Sequence, residues 1–105
     1  MRKKRSDRNH IIYQITNEVT GEIYIGITAV AGRAYLHSLK SRWKKHLSRW
    51  KTQNPEWRLY QSLTQYGETA FRPIILEIIR GKAEAHNREC QLIKSLNPQL
   101  NSTHI

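Results

Sequence analysis

Three sets of residues in this chain are of a type and spacing that could perform chemistry. The first is Arg42 with His46, four apart in Arg42-Trp43-Lys44-Lys45-His46 and so on one face of a helix. They border an apolar stripe of Leu39, Trp43, Leu47 and Trp50. Two readings are open: an ordinary surface Arg and His on a basic helix, or a guanidinium for a phosphate and an imidazole for proton transfer. The second is Glu89, which shares a helical face with Ala85 and Ile93. A carboxylate is costly to bury unless it is paired or binds a metal. Glu89 is therefore a salt-bridging helix-edge residue or a metal ligand. The third is the pair Tyr13 and Tyr24, which a register opposing them would put on one sheet face. They are packing residues or, beside a metal and a phosphate, phenols that shuttle a proton or hold a water.

These groups together match the needs of phosphodiester hydrolysis. A metal polarises the phosphate and stabilises the leaving oxygen. A cation neutralises developing charge, and a basic group activates water. One inward carboxylate suggests one metal ion rather than two.

The elements that must position these residues can be read from periodicity. His10 to Thr16 is rich in β-branched and aromatic residues, and Glu22 to Ile27 alternates, with Ile23, Ile25 and Ile27 on one side. Asn17-Glu18-Val19-Thr20-Gly21 supplies the turn of a hairpin between them. Residues 28–38, with Gly32 and no clear period, read as loop. Leu39 to Lys51 has the helical stripe, with Ser38 as its N-cap. Asn54-Pro55 opens a second helix whose inner stripe is Trp57, Tyr60 and Leu63, and Gly67 ends it. Phe71 to Ile79 is a strongly apolar strand. A last helix runs from Lys82 to Ser95, its inner face being Ala85, Glu89, Ile93 and Leu96, before Asn97-Pro98 stops it. The order β-β-α-α-β-α gives an α+β domain: a small central antiparallel three-stranded sheet flanked by helices.

Composition bounds the function. At 105 residues the chain is one domain, read as a basic flexible arm over 1–9 and a folded domain over 10–105. Eighteen Lys and Arg against eight Asp and Glu give +10, which points to a polyanionic partner, most often nucleic acid. Lys40, Lys44, Lys45, Arg49 and Lys51 share the first helix and make a phosphate-binding surface for DNA credible. Cys90 is the only cysteine, which excludes an internal disulfide and a cysteine-based zinc site. No apolar run reaches transmembrane length, and the basic start is not followed by an apolar signal region. The expectation is a soluble protein, intracellular (cytoplasmic, at DNA), with no membrane role.

The ordered motifs resemble the GIY-YIG nuclease superfamily. The first appears as Ile11-Ile12-Tyr13, the second as Tyr24-Ile25-Gly26. The Arg and His of the family's first helix match Arg42 and His46. Tyr66-Gly67 through Phe71 to Ile75-Leu76-Glu77 is similar to the approach and third strand. Arg88-Glu89 matches the acidic helix, and the closing Asn falls on Asn101. The resemblance covers residues 10–101. It departs at Ile11, where the motif has glycine, and in a longer segment between Tyr24 and Arg42.

The resemblance implies a DNA endonuclease, similar to homing-endonuclease catalytic domains, with catalytic residues Tyr13, Tyr24, Arg42, His46, Glu89 and Asn101. Glu89 would hold the divalent cation, Mg²⁺ with Mn²⁺ as the alternative. Tyr13 would activate the water, assisted by Tyr24 or His46. Arg42 would bind the scissile phosphate, and Asn101 would orient a neighbour or the phosphate. The DNA would be double-stranded or branched, with target choice supplied by a homodimer or by a specificity-giving partner. A phage or mobile element is a natural source for a short stand-alone member. The alternative is a non-catalytic nucleic-acid-binding module on the same scaffold.

Overall fold

The sheet is built around a strand that alternates between two buried faces. A computed structural model describes residues 8–53 and 56–102. β1 (Asn9–Asn17) and β2 (Ile23–Ala29) form an antiparallel hairpin, and β3 (Phe71–Arg80) pairs antiparallel with the other edge of β1. The order β2-β1-β3 puts β1 in the middle. The helices are α1 (Tyr35–Thr52), α2 (Arg58–Tyr66) and α3 (Lys82–Leu96), with a short 3₁₀ turn at Glu68–Ala70 before β3. This is the α+β architecture the sequence led us to expect. β1 begins at Asn9, residues 1–7 of the expected arm lie outside the described residues, and so does Pro55. Among the described residues no helix is long and apolar enough to cross a membrane.

Alternation assigns each face of β1 a partner. Ile11, Tyr13 and Ile15 join Leu39 of α1 and Leu59, Tyr60 and Leu63 of α2 in the main core. A fully buried aliphatic side chain of this kind contributes roughly 1.5–3 kcal/mol. Ile12 faces the other way, as does its β3 partner Glu77. Arg88 of α3 grips Glu77 there with two hydrogen bonds of 2.8 Å, which fastens α3 to that face. Asn17 closes the hairpin: its Oδ1 accepts from the N–H groups of Val19 (2.9 Å) and Thr20 (3.3 Å), and its Nδ2 donates to Ser62 Oγ of α2 (3.0 Å).

Four expectations need correction. Residues 28–38 are not all loop, because β2 runs on to Ala29 and α1 starts at Tyr35. Ser38 is accordingly inside α1. The N-cap is Ala34, with no side-chain hydrogen bond to mark the start. Leu96 does not face inward but is 43% exposed. Asn97 takes a left-handed conformation (φ 47°) and turns the chain, so Leu100 fills the core instead. Finally, the second helix starts only at Arg58, so Trp57 is its N-cap and not part of its stripe. The expected apolar strand is present as β3, on a sheet edge where Ile74 and Ile78 are exposed.

The other edge, β2, is covered by the segment after α3. Leu100 N–H donates to the Ile23 carbonyl (2.9 Å), and Ile23 N–H donates to Gln99 Oε1 (3.3 Å). Unpaired strand edges invite foreign strands, and this return segment occupies one of them.

Candidate active site

Tyr13 is the meeting point of the site. It stands in the centre of β1 and is only 1% exposed. Its hydroxyl lies 2.8 Å from His46 Nε2 and accepts a hydrogen bond of 3.3 Å from Arg42 Nε. The spacing of Arg42 and His46 therefore does place both on the sheet-facing side of α1. His46, expected at the border of the core, is 2% exposed and more deeply buried than Leu47. Its Nδ1 sits 2.8 Å from the Tyr60 hydroxyl of α2.

Tyr24 is not directly opposite Tyr13. The register pairs Tyr13 with Gly26 and Tyr24 with Ile15, so the tyrosines are diagonal neighbours on one face, with ring centroids 6.2 Å apart. The reason is steric. A Cβ built at Gly26 would collide with the end of the Tyr13 ring, so only glycine leaves room for that ring to lie across β2. Gly26 is thus a site residue by virtue of space, and its φ is not the constraint. Ile11, where the family motif has glycine, is wholly buried in the main core.

Burial governs the ionisation of these groups. It raises the Tyr13 phenol above its ordinary value, against the opposing effect of Arg42, and the negative charge of Glu89 raises it further. Burial also raises Tyr24 strongly, as does the neighbouring Tyr13. Burial, then the positive charges of Arg42 and Arg49, push His46 down to about 3, so the imidazole is neutral at physiological pH. Burial, the largest single influence, would weaken the Arg42 guanidinium, but its hydrogen bond to Tyr13 together with the charges of Tyr13, Tyr24 and Tyr60 outweighs this and raises it.

Glu89 lies apart from this hydrogen-bonded run. Its side chain is 13% exposed, and His86 Nδ1 at 3.4 Å is its ionic neighbour. Burial raises its carboxyl, opposed by His86. His86 itself is 67% exposed and is charged only when protonated. The carboxylate is thus half-buried with weak compensation, a setting that favours a cation. Among the described residues no group of three His, Cys, Asp or Glu side chains is gathered. The donor set is therefore one carboxylate, which fits a hard divalent ion that keeps water and takes phosphate oxygens as its other ligands.

Asn101 uses both ends of its amide on the backbone of β2. Its Oδ1 accepts from Ile25 N–H (2.8 Å) and its Nδ2 donates to the Ile25 carbonyl (2.9 Å). It anchors the strand next to Tyr24 and lines, with Tyr24, Arg42 and Trp57, a cavity of about 240 Å³. Two further clefts open beside Arg42. One, of about 260 Å³, includes His10, Lys82 and His86; the other, of about 280 Å³, includes Arg8, His37 and Lys45.

The five cations of α1 besides Arg42 are not equivalent. At 100° per residue, Lys45 and Arg49 fall within about 60° of Arg42, whereas Lys40, Lys44 and Lys51 fall about 160–180° away. Lys51 reaches Glu68 at 3.6 Å on that far side. Arg49 lies over the Trp57 ring, 5.3 Å from its centroid. Trp57 in turn stacks on Tyr60 at 5.1 Å.

Sequence reasoning missed Gly26 and Tyr60 as parts of the site. Gly26 was visible as a motif letter, but its reason needs the Tyr13 register. Tyr60 read as packing because it shares a stripe with Leu63. A polar-tipped residue on an apolar stripe that faces a buried His was the available signal.

A family model described as the GIY-YIG catalytic domain matches residues 9–102. The chain is similar to a solved structure of the catalytic domain of the homing endonuclease I-TevI. The identity is 27% and the TM-score 0.69, over 89% of this chain and 94% of that one. It is also similar to the catalytic domain of intron endonuclease I-TevI carrying a glutamate-to-alanine mutation. There the identity is 26% and the TM-score 0.70, over 91% and 92% of the two chains. No curated protein matches the chain.

Proposed function

This chain belongs to the GIY-YIG catalytic domain family and is a nuclease, and from that premise we propose that it hydrolyses DNA phosphodiester bonds with one divalent ion, Mg²⁺, at Glu89. The observation that carries this reading is the hydrogen-bonded run Arg42–Tyr13–His46, together with a half-buried carboxylate, Glu89, near enough to raise the Tyr13 phenol and whose ionic neighbour among the described residues is His86. The similarity to the catalytic domain of a homing and intron endonuclease supports DNA, double-stranded or branched, as the substrate class.

Each residue has a role its surroundings suit. Arg42 borders all three clefts and binds the scissile phosphate, where its fixed charge stabilises negative charge developing on the oxygens. Tyr13 acts as the phenolate: its own proton leaves toward Tyr24 and the solvent of the cavity, helped by the hydrogen bond that Arg42 donates, and the phenolate then takes the proton of the attacking water. His46, neutral and already hydrogen-bonded on both nitrogens, serves Tyr13 through its hydrogen bond and does not store a proton. Glu89 holds the ion, which when bound polarises the phosphate and eases departure of the leaving oxygen. Asn101 keeps Ile25, and with it Tyr24, in place. On the DNA side, Lys45 with Arg8 and His37 meets phosphates next to the scissile one. Lys40, Lys44 and Lys51 face away from that path.

Supercoiled plasmid tests the proposal. Mg²⁺ should convert it to nicked or linear DNA, EDTA should stop the reaction, and Glu89→Ala should not cut even with Mg²⁺. Binding without cleavage, across several metals and substrates, would overturn the reading in favour of a binding module. Cleavage undiminished in EDTA would overturn the ion alone.

A further inference from the structure

Tyr60 is the one member of the buried hydrogen-bonded run that the proposed chemistry leaves unused. Its side chain is fully buried, and its hydroxyl lies 2.8 Å from His46 Nδ1. The other polar group beside that hydroxyl is the Arg49 guanidinium. A phenol has one hydrogen to donate, and a buried donor needs an acceptor. A guanidinium has only donors. His46 Nδ1 is therefore the acceptor available to Tyr60, and a neutral imidazole that accepts at Nδ1 carries its hydrogen on Nε2. That hydrogen points at Tyr13.

We propose that Tyr60, braced by Arg49 and Trp57, is a positioning residue: it locks His46 in the Nε2–H tautomer, so that His46 and Arg42 both donate to the Tyr13 oxygen. Two donors on one phenol oxygen favour its ionised form. They also turn the Tyr13 hydrogen away from His46, toward Tyr24, whose ring lines the cavity. Loss of that hydrogen to the cavity by way of Tyr24 leaves Tyr13 as the phenolate that proton abstraction requires. Arg49, on the site side of α1, has a structural task in this arrangement, since its charge lies near the Tyr60 hydroxyl and its guanidinium lies on Trp57, which stacks on Tyr60.

The functional half of this inference rests on the nuclease reading, while the tautomer does not. Nitrogen-15 NMR of the imidazoles in the full chain, without DNA, reads the tautomer directly. The wild type should show His46 protonated at Nε2 alone, and Tyr60→Phe should populate the Nδ1–H form. In cleavage assays Tyr60→Phe should shift the acid limb of the kcat–pH profile upward by about one unit, roughly tenfold in rate on that limb, with KM unchanged. Arg49→Gln, whose carbonyl offers the Tyr60 hydrogen a second acceptor, should give the same tautomer mixing to a smaller extent. This second variant covers the case in which Tyr60→Phe does not fold. A wild-type His46 protonated at Nδ1 overturns the proposal. So does a folded Tyr60→Phe protein with wild-type tautomer and pH profile. Absence of cleavage by the wild type would instead defeat the nuclease reading and leave the tautomer result standing.

Discussion

The two walls of the candidate site are built on opposite principles. On one, Tyr13, His46 and Tyr60 are sealed from water and joined by hydrogen bonds of 2.8 Å. On the other, Glu89 is half-buried, and its ionic neighbour is the largely exposed His86. Groups that must be oriented before the substrate arrives are held by packing and by each other, which removes reorganisation from the reaction. The group that takes up the ion in the proposed mechanism is left under-compensated. The dry wall should therefore respond to mutation through geometry, and the wet wall through charge.

Glu89→Gln should have the largest effect on cleavage, a loss of more than about 10³-fold, because among the described residues no cluster of metal-binding side chains backs Glu89 up. Its melting temperature should equal or exceed that of the wild type, since a poorly compensated charge has been removed. Plasmid nicking and a thermal scan read the two quantities. A large fall in melting temperature would make Glu89 a structural partner and erase the contrast between the walls.

Gly26→Ala probes the dry wall. The added methyl group displaces the Tyr13 ring, which should lower stability by about 1–3 kcal/mol and the cleavage rate by about 10²-fold. Urea unfolding and single-turnover kinetics check both. An active, stable variant would mean that Tyr13 needs no fixed seat.

The acid response of the dry wall has a defined sign. His46 titrates near 3 in the folded chain, against an ordinary 6.5. The unfolded chain binds the extra proton in between, so stability is lost as pH falls from about 6.5 toward 3. The loss from this one group is a few kcal/mol at most. His46→Gln should flatten that part of the stability–pH curve. An unchanged slope would show that other groups set it.

The smallest effects belong to α1 outside the walls. Lys45→Ala should weaken DNA binding and lower its salt slope by about one. Replacing Lys40, Lys44 and Lys51 together by Ala should leave the cleavage rate within about threefold, since isolated surface charges contribute little. The reverse ranking would place the DNA on the other side of the helix.

This ranking also marks what the sequence revealed. The hairpin was legible because alternation and the Asn17–Gly21 turn are local, and Arg42 with His46 were legible because four residues fix a helical face. The start of α1 was hidden, since Ala34 gives no capping side chain and Gly32 blurs the period. Exposure along β3 was hidden because an apolar run does not say whether its strand lies at an edge. Tyr60 was hidden because its partner is fourteen residues away on another helix. Division of the α1 cations into two faces was available from helical geometry alone, but which face mattered depended on where Tyr13 sits.

The most direct measurement of the two-wall account is ion binding, followed by calorimetry with Mg²⁺ and Mn²⁺ on the wild type, Glu89→Gln and His46→Gln, each also assayed for cleavage. The account predicts that His46→Gln binds the ion as the wild type does yet cuts poorly, while Glu89→Gln neither binds nor cuts. Ion binding that survives in Glu89→Gln, or that is lost in His46→Gln, would contradict it.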